Sequence, residues 1–217
     1  MIQLVILDFD GVILESVAIK TKAFRELFSS VPAYVDEIVA YHQANSGVSR
    51  FDKFRHIYES ILHEPLTEDR FRWLARRYAE LVVDGVLASP FVPGALEFLG
   101  WFHQRLPLYI VSATPQDEIR FIVKERGLSR YFRGVFGSPR KKVDCIREIL
   151  ATSGSEPGKA VYVGDAPNDL HAARALGVRF VGRVGEGGIN PFSGEGQVER
   201  IVKDLHELGK YLEDQTC

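Results

Sequence analysis

Leu4-Val5-Ile6-Leu7-Asp8-Phe9-Asp10-Gly11 is an apolar run of strand length that stops at two carboxylates and a glycine. Four apolar residues in succession, with no polar alternation, suit a strand covered on both faces, as in a parallel sheet. The arrangement recurs downstream: Leu108-Tyr109-Ile110-Val111 runs into Ser112-Ala113-Thr114-Pro115, and Ala160-Val161-Tyr162-Val163 into Gly164-Asp165-Ala166-Pro167. Shorter runs, Gly134-Val135-Phe136 and Arg179-Phe180-Val181-Gly182, predict further strands. Helical stretches follow the polar ends. The stretch 115–126 carries proline in its first turn with Asp117 and Glu118 beside it and stops at Gly127; the stretch 167–176 stops at Gly177. Strands whose polar ends open helices predict an α/β fold, a doubly wound parallel sheet with right-handed crossovers.

Between Glu15 and Leu87 the pattern changes, because no strand-like run interrupts helical periodicity there. Helices are expected at 18–28, 34–44, 50–62 and 68–87, the last capped by Thr67 with Glu68 and Asp69 in its first turn. The expectation is an α/β core from residues 1–14 and 88–217, with an all-helical cap domain at 15–87 inserted after the first strand. The chain has 217 residues, 46% of them apolar, which suffices for a real core. Its 27 Lys+Arg against 29 Asp+Glu leave a net charge of −2, which argues against nucleic acid as a partner. No run approaches the roughly 18 apolar residues of a membrane span, and Met1 to Leu7 lacks a basic signal-peptide region. Two cysteines, Cys145 and Cys217, are too few for a disulfide framework. The expectation is a cytoplasmic protein with no membrane partner, a monomer or homodimer.

Ligands of open parallel sheets bind beyond the carboxyl ends of the strands. There the sequence places Asp8 and Asp10, then Ser112 and Thr114, then Asp165 and Asp169, while Lys141-Lys142 opens a helix after Gly137-Ser138-Pro139. Like charges gathered on one rim raise one another's pKa unless a cation neutralises them. A hard divalent metal with oxygen ligands does so, and Mg²⁺ is the usual choice beside a phosphate.

The string Asp8-Phe9-Asp10-Gly11-Val12-Ile13-Leu14-Glu15-Ser16 resembles the first motif of the haloacid-dehalogenase-like hydrolase superfamily, and Asp165-Ala166-Pro167-Asn168-Asp169 resembles its fourth. The strand ending at Ser112 matches the second, and the lysine after Gly137-Ser138-Pro139 the third; by spacing Lys142 is preferred, with Lys141 left open. The helical block resembles the inserted cap of the phosphoglycolate phosphatase and β-phosphoglucomutase branch. That resemblance implies a Mg²⁺-dependent phosphomonoester hydrolase acting on a small phosphorylated metabolite. Asp8 would be the nucleophile and Asp10 the acid and base. Ser112 and Lys142 would hold the phosphoryl oxygens. It implies a metal held by the Asp8 carboxylate, the Asp10 backbone carbonyl and Asp165, with Asp169 behind them or acting through water. Asp10 favours phosphoryl transfer over dehalogenation, since only the former needs a leaving-group acid there. Glu15 stands where the branch often has Asp, and Ala113-Thr114 where it often has Asn-Gly or Gly-Thr. A phosphomutase on a sugar phosphate is the alternative, using the same Asp8 and Asp10. A phospho-accepting regulatory module fits less well, its acceptor aspartate standing after a middle strand, and an idle interaction protein less still.

In the helical block, Asn45-Ser46-Gly47-Val48-Ser49-Arg50 is a glycine-bearing turn opening a helix, with Lys53 one turn on. In the family's caps such a loop leans over the site, so Gly47, Arg50 and Lys53 are candidates for binding the substrate, with Arg50 gripping a second anionic group. Thr114 is a further substrate-binding candidate, although its ordinary role would be to cap the helix begun by Pro115. Lys20 stands on the first cap helix where the mutase branch carries a residue facing the site, but reads first as a solvated helix lysine; Phe51, Phe54 and Tyr58 read as packing between helices, and Trp73 and Trp101 as buried. His171 belongs on a helix surface, Cys145 in the core, and Gly185-Glu186-Gly187-Gly188 in a surface loop. The substrate's identity is not written in the sequence.

Overall fold

The computed structural model describes residues 1–216; Cys217 lies outside them. Strands β1 (Leu4–Leu7), β2 (Leu108–Pro115), β3 (Gly134–Ser138), β4 (Ala160–Gly164), β5 (Arg179–Arg183) and β6 (Arg200–Val202) form one sheet in the order β3-β2-β1-β4-β5-β6. Every neighbouring pair is parallel. All residues of β1 and β4 are buried, as strands covered on both faces require. From central β1 the chain goes out to β2 and β3 on one side, then returns to β4 on the other. That reversal opens a crevice at the carboxyl ends of β1, β2 and β4.

Between β1 and β2 the chain forms α1 (Val17–Leu27), α2 (Val35–Ala44), α3 (Arg50–His56), α4 (Glu68–Ala88) and α5 (Ala95–Phe102). The first four pack around an aromatic centre of Phe24, Phe28, Phe54 and Tyr78, with ring centroids 4.9–6.4 Å apart. The helix expected over 50–62 divides: α3 ends at His56, and a π-helical turn spans Ile57–Ile61. Leu62 N donates to Ile57 O at 2.8 Å, which widens the turn and lets Ile57, Tyr58, Ile61 and Leu62 all reach the interior. Helices α6 (Gln116–Glu125), α7 (Lys142–Ser153), α8 (Pro167–Arg174) and α9 (Leu205–Thr216) complete the layers around the sheet.

Three expectations are corrected here. Trp73 and Trp101 stand 38% and 50% exposed instead of buried, with the guanidinium groups of Arg70 and Arg105 lying over their rings at 4.4 and 3.6 Å. Thr114 belongs to β2, and the residue that caps α6 is Pro115. Neither β6 nor α9 follows an apolar run of the kind that marks β1; β6 is a three-residue edge strand with two exposed positions. Among the described residues no helix is long and apolar enough to cross a membrane.

Candidate active site

The carboxyl ends of β1 and β4 bring three aspartates together. Asp8 N donates to Val163 O at 2.9 Å, which fixes the end of β1 against β4. Asp8, Asp165 and Asp169 each present a carboxylate oxygen, all lying within 4.8 Å of one another. Close approach of backbone is what permits this: Gly11 has φ +76°, and a Cβ there would stand 2.3 Å from Asp165 Oδ2. Lys142, the first residue of α7, donates to Asp8 Oδ2 at 3.0 Å and to Asp169 Oδ1 at 2.5 Å. Its neighbour Lys141 is exposed. Asp169 is fully buried and takes two further bonds, from Tyr162 Oη at 2.6 Å and from Ala166 N at 3.1 Å, so its oxygens are committed to holding the cluster.

Burial pushes the Asp8 carboxyl up to about 7, with Asp169 and Asp10 adding to the rise and Lys142 opposing it. Burial and the charges of Asp8 and Asp169 push Asp165 well above its ordinary value too. Lys142 gains in the other sense: burial opposes its charge, but Asp169 and Asp8 outweigh that and raise its pKa. Three carboxylates against one ammonium is an all-oxygen donor set short of positive charge. A hard divalent cation satisfies such a set, and these residues fit one.

Asp10 turns away from this cluster. Its Oδ1 accepts from Ser16 Oγ at 2.6 Å, and its Oδ2 accepts from Thr114 Oγ1 at 3.1 Å and from the Lys20 ammonium, which also donates to Thr114 Oγ1 at 2.9 Å. Burial opposes ionisation of Asp10, yet the Lys20 charge and the three hydrogen bonds win and hold its carboxyl below the usual range. Lys20 is therefore no solvated helix lysine. It points from α1 into the crevice because a buried carboxylate there demands a partner. Ser112 is buried beside them, its Oγ accepting from Thr114 N at 3.1 Å.

A cleft lies between these groups and the helical insertion, lined by Asp8, Asp10 and Ser112 on one side and by His42, Arg50 and Lys53 on the other. The loop before α3 reaches the core through backbone: Gly47, at φ +78°, packs on Ala166 and accepts at its carbonyl from Asn168 Nδ2 at 2.7 Å. Arg50 does not stand free for a ligand. Its guanidinium lies 4.4 Å from the Tyr78 ring centroid and binds both carboxylate oxygens of Glu118 on α6, at 2.8 and 2.5 Å, with Arg50 buried and Glu118 partly so. Lys53 is buried and donates to His42 Nδ1 and to His42 O, each at 3.0 Å. An ammonium can only donate, so Nδ1 accepts and the ring proton sits on Nε2. Burial, reinforced by Lys53 and Lys20, lowers His42 to about 3, which keeps it neutral.

Four participants escape sequence reasoning. Glu118 reads as an ordinary acid of a first helical turn, and His42 and Tyr78 belong to no motif. Tyr162 offers the one usable signal: it is a phenol inside a strand otherwise built of aliphatic residues.

Comparison with known proteins bears on the family and the fold. A family model described as haloacid dehalogenase-like hydrolase matches residues 2–177. The chain is 27% identical over 186 residues to phosphoglycolate phosphatase 1 of Pseudomonas aeruginosa, covering 82% of this chain and 67% of that protein. Among solved structures, a predicted phosphatase from Clostridium acetobutylicum superposes with a TM-score of 0.78 at 18% identity, covering 99% of both chains. The β-phosphoglucomutase of Clostridium difficile superposes at 0.75 and 16%, covering 99% of this chain and 97% of that one. The last two likenesses speak to the fold alone.

Proposed function

The chain belongs to the haloacid dehalogenase-like hydrolases, and from that premise we propose a Mg²⁺-dependent phosphomonoester hydrolase working through an aspartyl-phosphate on Asp8. It is a phosphatase of the branch that holds the phosphoglycolate phosphatases and β-phosphoglucomutases, and its substrate is a small phosphorylated metabolite. In our reading residues 15–87 act as a cap over a core of 1–14 and 88–217, and the enzyme works in the cytoplasm.

The observation that carries the reading is the meeting of Asp8, Asp165 and Asp169 beside Lys142 at the mouth of the sheet. Asp8 Oδ attacks phosphorus in line and the ester P–O bond breaks; Asp10, ionised at rest, takes up the proton that the ester's monoanion brings and passes it to the leaving oxygen. Asp10 is then ionised, the state that Lys20, Ser16 and Thr114 stabilise, and takes a proton from the water that attacks phosphorus and frees Asp8. Lys142 and the Ser112 hydroxyl, whose oxygen is held by Thr114 N, position the phosphoryl oxygens. The Asp8 and Asp165 carboxylates and the Asp10 carbonyl would hold the Mg²⁺, with Asp169 fixing Lys142 behind them. When bound, the cation neutralises charge gathering on the phosphoryl oxygens. The same pair of aspartates would serve a phosphomutase. Hydrolysis is favoured because the likeness to a phosphatase extends to sequence, whereas the likeness to the mutase is one of fold.

A panel of phosphate esters assayed for phosphate release, with and without Mg²⁺, tests this. Wild type should turn over at least one ester only with the metal, and Asp8→Asn should lower kcat by about a thousandfold or more. Wild-type rates in Asp8→Asn would remove the nucleophile assignment. Migration of the ester within a sugar phosphate, without free phosphate, would favour the mutase.

A further inference from the structure

Residues 8–16 lie between β1 and α1 and belong to neither, so no regular element carries Asp10. A residue from a strand that supplies none of the clustered aspartates grips this loop at two points. Arg183 closes β5, and its guanidinium is buried. Its Nη1 donates to the Gly11 carbonyl at 3.1 Å and to Glu15 Oε2 at 3.0 Å, its Nη2 to Glu15 Oε1, and its Nε to the Lys203 carbonyl at 3.0 Å. Both grips adjoin Asp10's surroundings. Gly11 follows Asp10 and packs on the Asp165 carboxylate; Ser16 follows Glu15, is fully buried, and donates to Asp10 Oδ1 at 2.6 Å. Taking the phosphatase reading as given, we propose that Arg183 is a positioning residue for proton delivery. Through Glu15 it holds Ser16, and through Gly11 the turn itself, so that the Asp10 carboxyl meets the leaving oxygen of the ester.

A guanidinium that binds both oxygens of a carboxylate fixes direction as well as distance. The glutamate that stands where the branch often has aspartate is the arm that reaches β5. Its backbone is pinned on the other side, since Glu15 N donates to Pro90 O at 3.0 Å, and within the loop Gly11 N donates to Leu14 O at 2.8 Å. Slack in Arg183 would therefore pass along a short, tight path to Ser16 and Asp10. A group that hands over a proton must stand within hydrogen-bond reach of the atom it serves, and a misplacement of about 1 Å can cost on the order of a hundredfold in rate.

Phenyl phosphate and p-nitrophenyl phosphate differ little in shape, but phenoxide leaves poorly without a proton whereas p-nitrophenoxide leaves readily. The test measures kcat/KM for both at saturating Mg²⁺ in wild type, Asp10→Asn, Arg183→Met and Glu15→Gln. The ratio of phenyl to p-nitrophenyl phosphate should fall at least tenfold in Asp10→Asn, at least fivefold in Arg183→Met and at least threefold in Glu15→Gln. A simple loss of folded enzyme lowers both esters alike and leaves the ratio in place. Ratios within twofold of wild type in Arg183→Met and Glu15→Gln overturn the role of Arg183. Denaturant unfolding adds a reading that needs no turnover: Ser16→Ala should destabilise Arg183→Met at most half as much as it destabilises wild type, and equal losses overturn the grip on Ser16. Glu15→Gln carries both readings where Arg183→Met does not fold. Absence of Asp8-dependent phosphate release from both esters overturns the phosphatase reading instead, and the unfolding comparison still decides whether Arg183 holds Ser16.

Discussion

A lysine buried without a carboxylate lowers the stability of the fold that contains it. Lys53 loses its proton near pH 7 in the folded chain, against 10.5 for an ordinary lysine. Between those values the unfolded chain holds the extra proton, so stability rises with pH across the window, and the penalty is complete below pH 7. Lys53→Met should therefore raise the Tm at pH 6, with the gain fading as the pH approaches 10.5. Thermal melts across that range check it, and a gain independent of pH would trace the effect to packing. At this scale much of the site was legible. Asp8, Asp10, Asp165 and Lys142 sit in short motifs at strand ends, where local sequence dictates position. Lys20 and Glu118 were not legible, because nothing on their own helices shows that they face a charge from a segment about ten or seventy residues away.

Among the elements, the loop before α3 carries the contact that seats the helical insertion on the core. Gly47 is at φ +78°, and a Cβ there would meet the Ala166 Cβ at 3.0 Å and the Asn168 Cβ at 3.3 Å. Gly47→Ala should cost about 1–2 kcal/mol through the left-handed backbone alone. Further loss is expected where the Asn168 amide no longer reaches the Gly47 carbonyl. Denaturant unfolding should read the loss of stability, and kcat/KM should fall several-fold while circular dichroism stays as in wild type. An Ala variant as stable and active as wild type would mean that the loop docks differently. The Arg50–Glu118 pair joins α3 to α6 in the same contact, and being bidentate and partly buried it holds the two in one register. Helix periodicity located α1, α2 and α4 to within a residue or two. It missed the π turn after His56, because an extra residue in one turn leaves the apolar spacing nearly unchanged.

Across the whole molecule, the acidic cluster couples folding to metal. Asp8 and Asp165 are carboxyls that burial and mutual repulsion hold at raised pKa, so a divalent cation binding the native state alone should stabilise it. At a concentration a hundredfold above its Kd the gain is about 2.7 kcal/mol, or on the order of 5–10 °C in Tm for a chain of this size. Thermal melts with Mg²⁺ and with EDTA read this directly. Asp165→Asn should abolish the shift, and an undiminished shift in that variant would place the metal elsewhere.

Read alone, the sequence marked β1 to β5, most of the helices and the acidic rim, because apolar runs and their polar ends are local features; β6 and α9 carry no such mark. Only the tertiary structure decided which charges meet: Lys20 with Asp10, Glu118 with Arg50, and Lys53 with no carboxylate among the described residues. Those pairings join segments far apart in the chain, and in a buried cleft the energy of a charge depends on its neighbours in space, which the order of residues does not display.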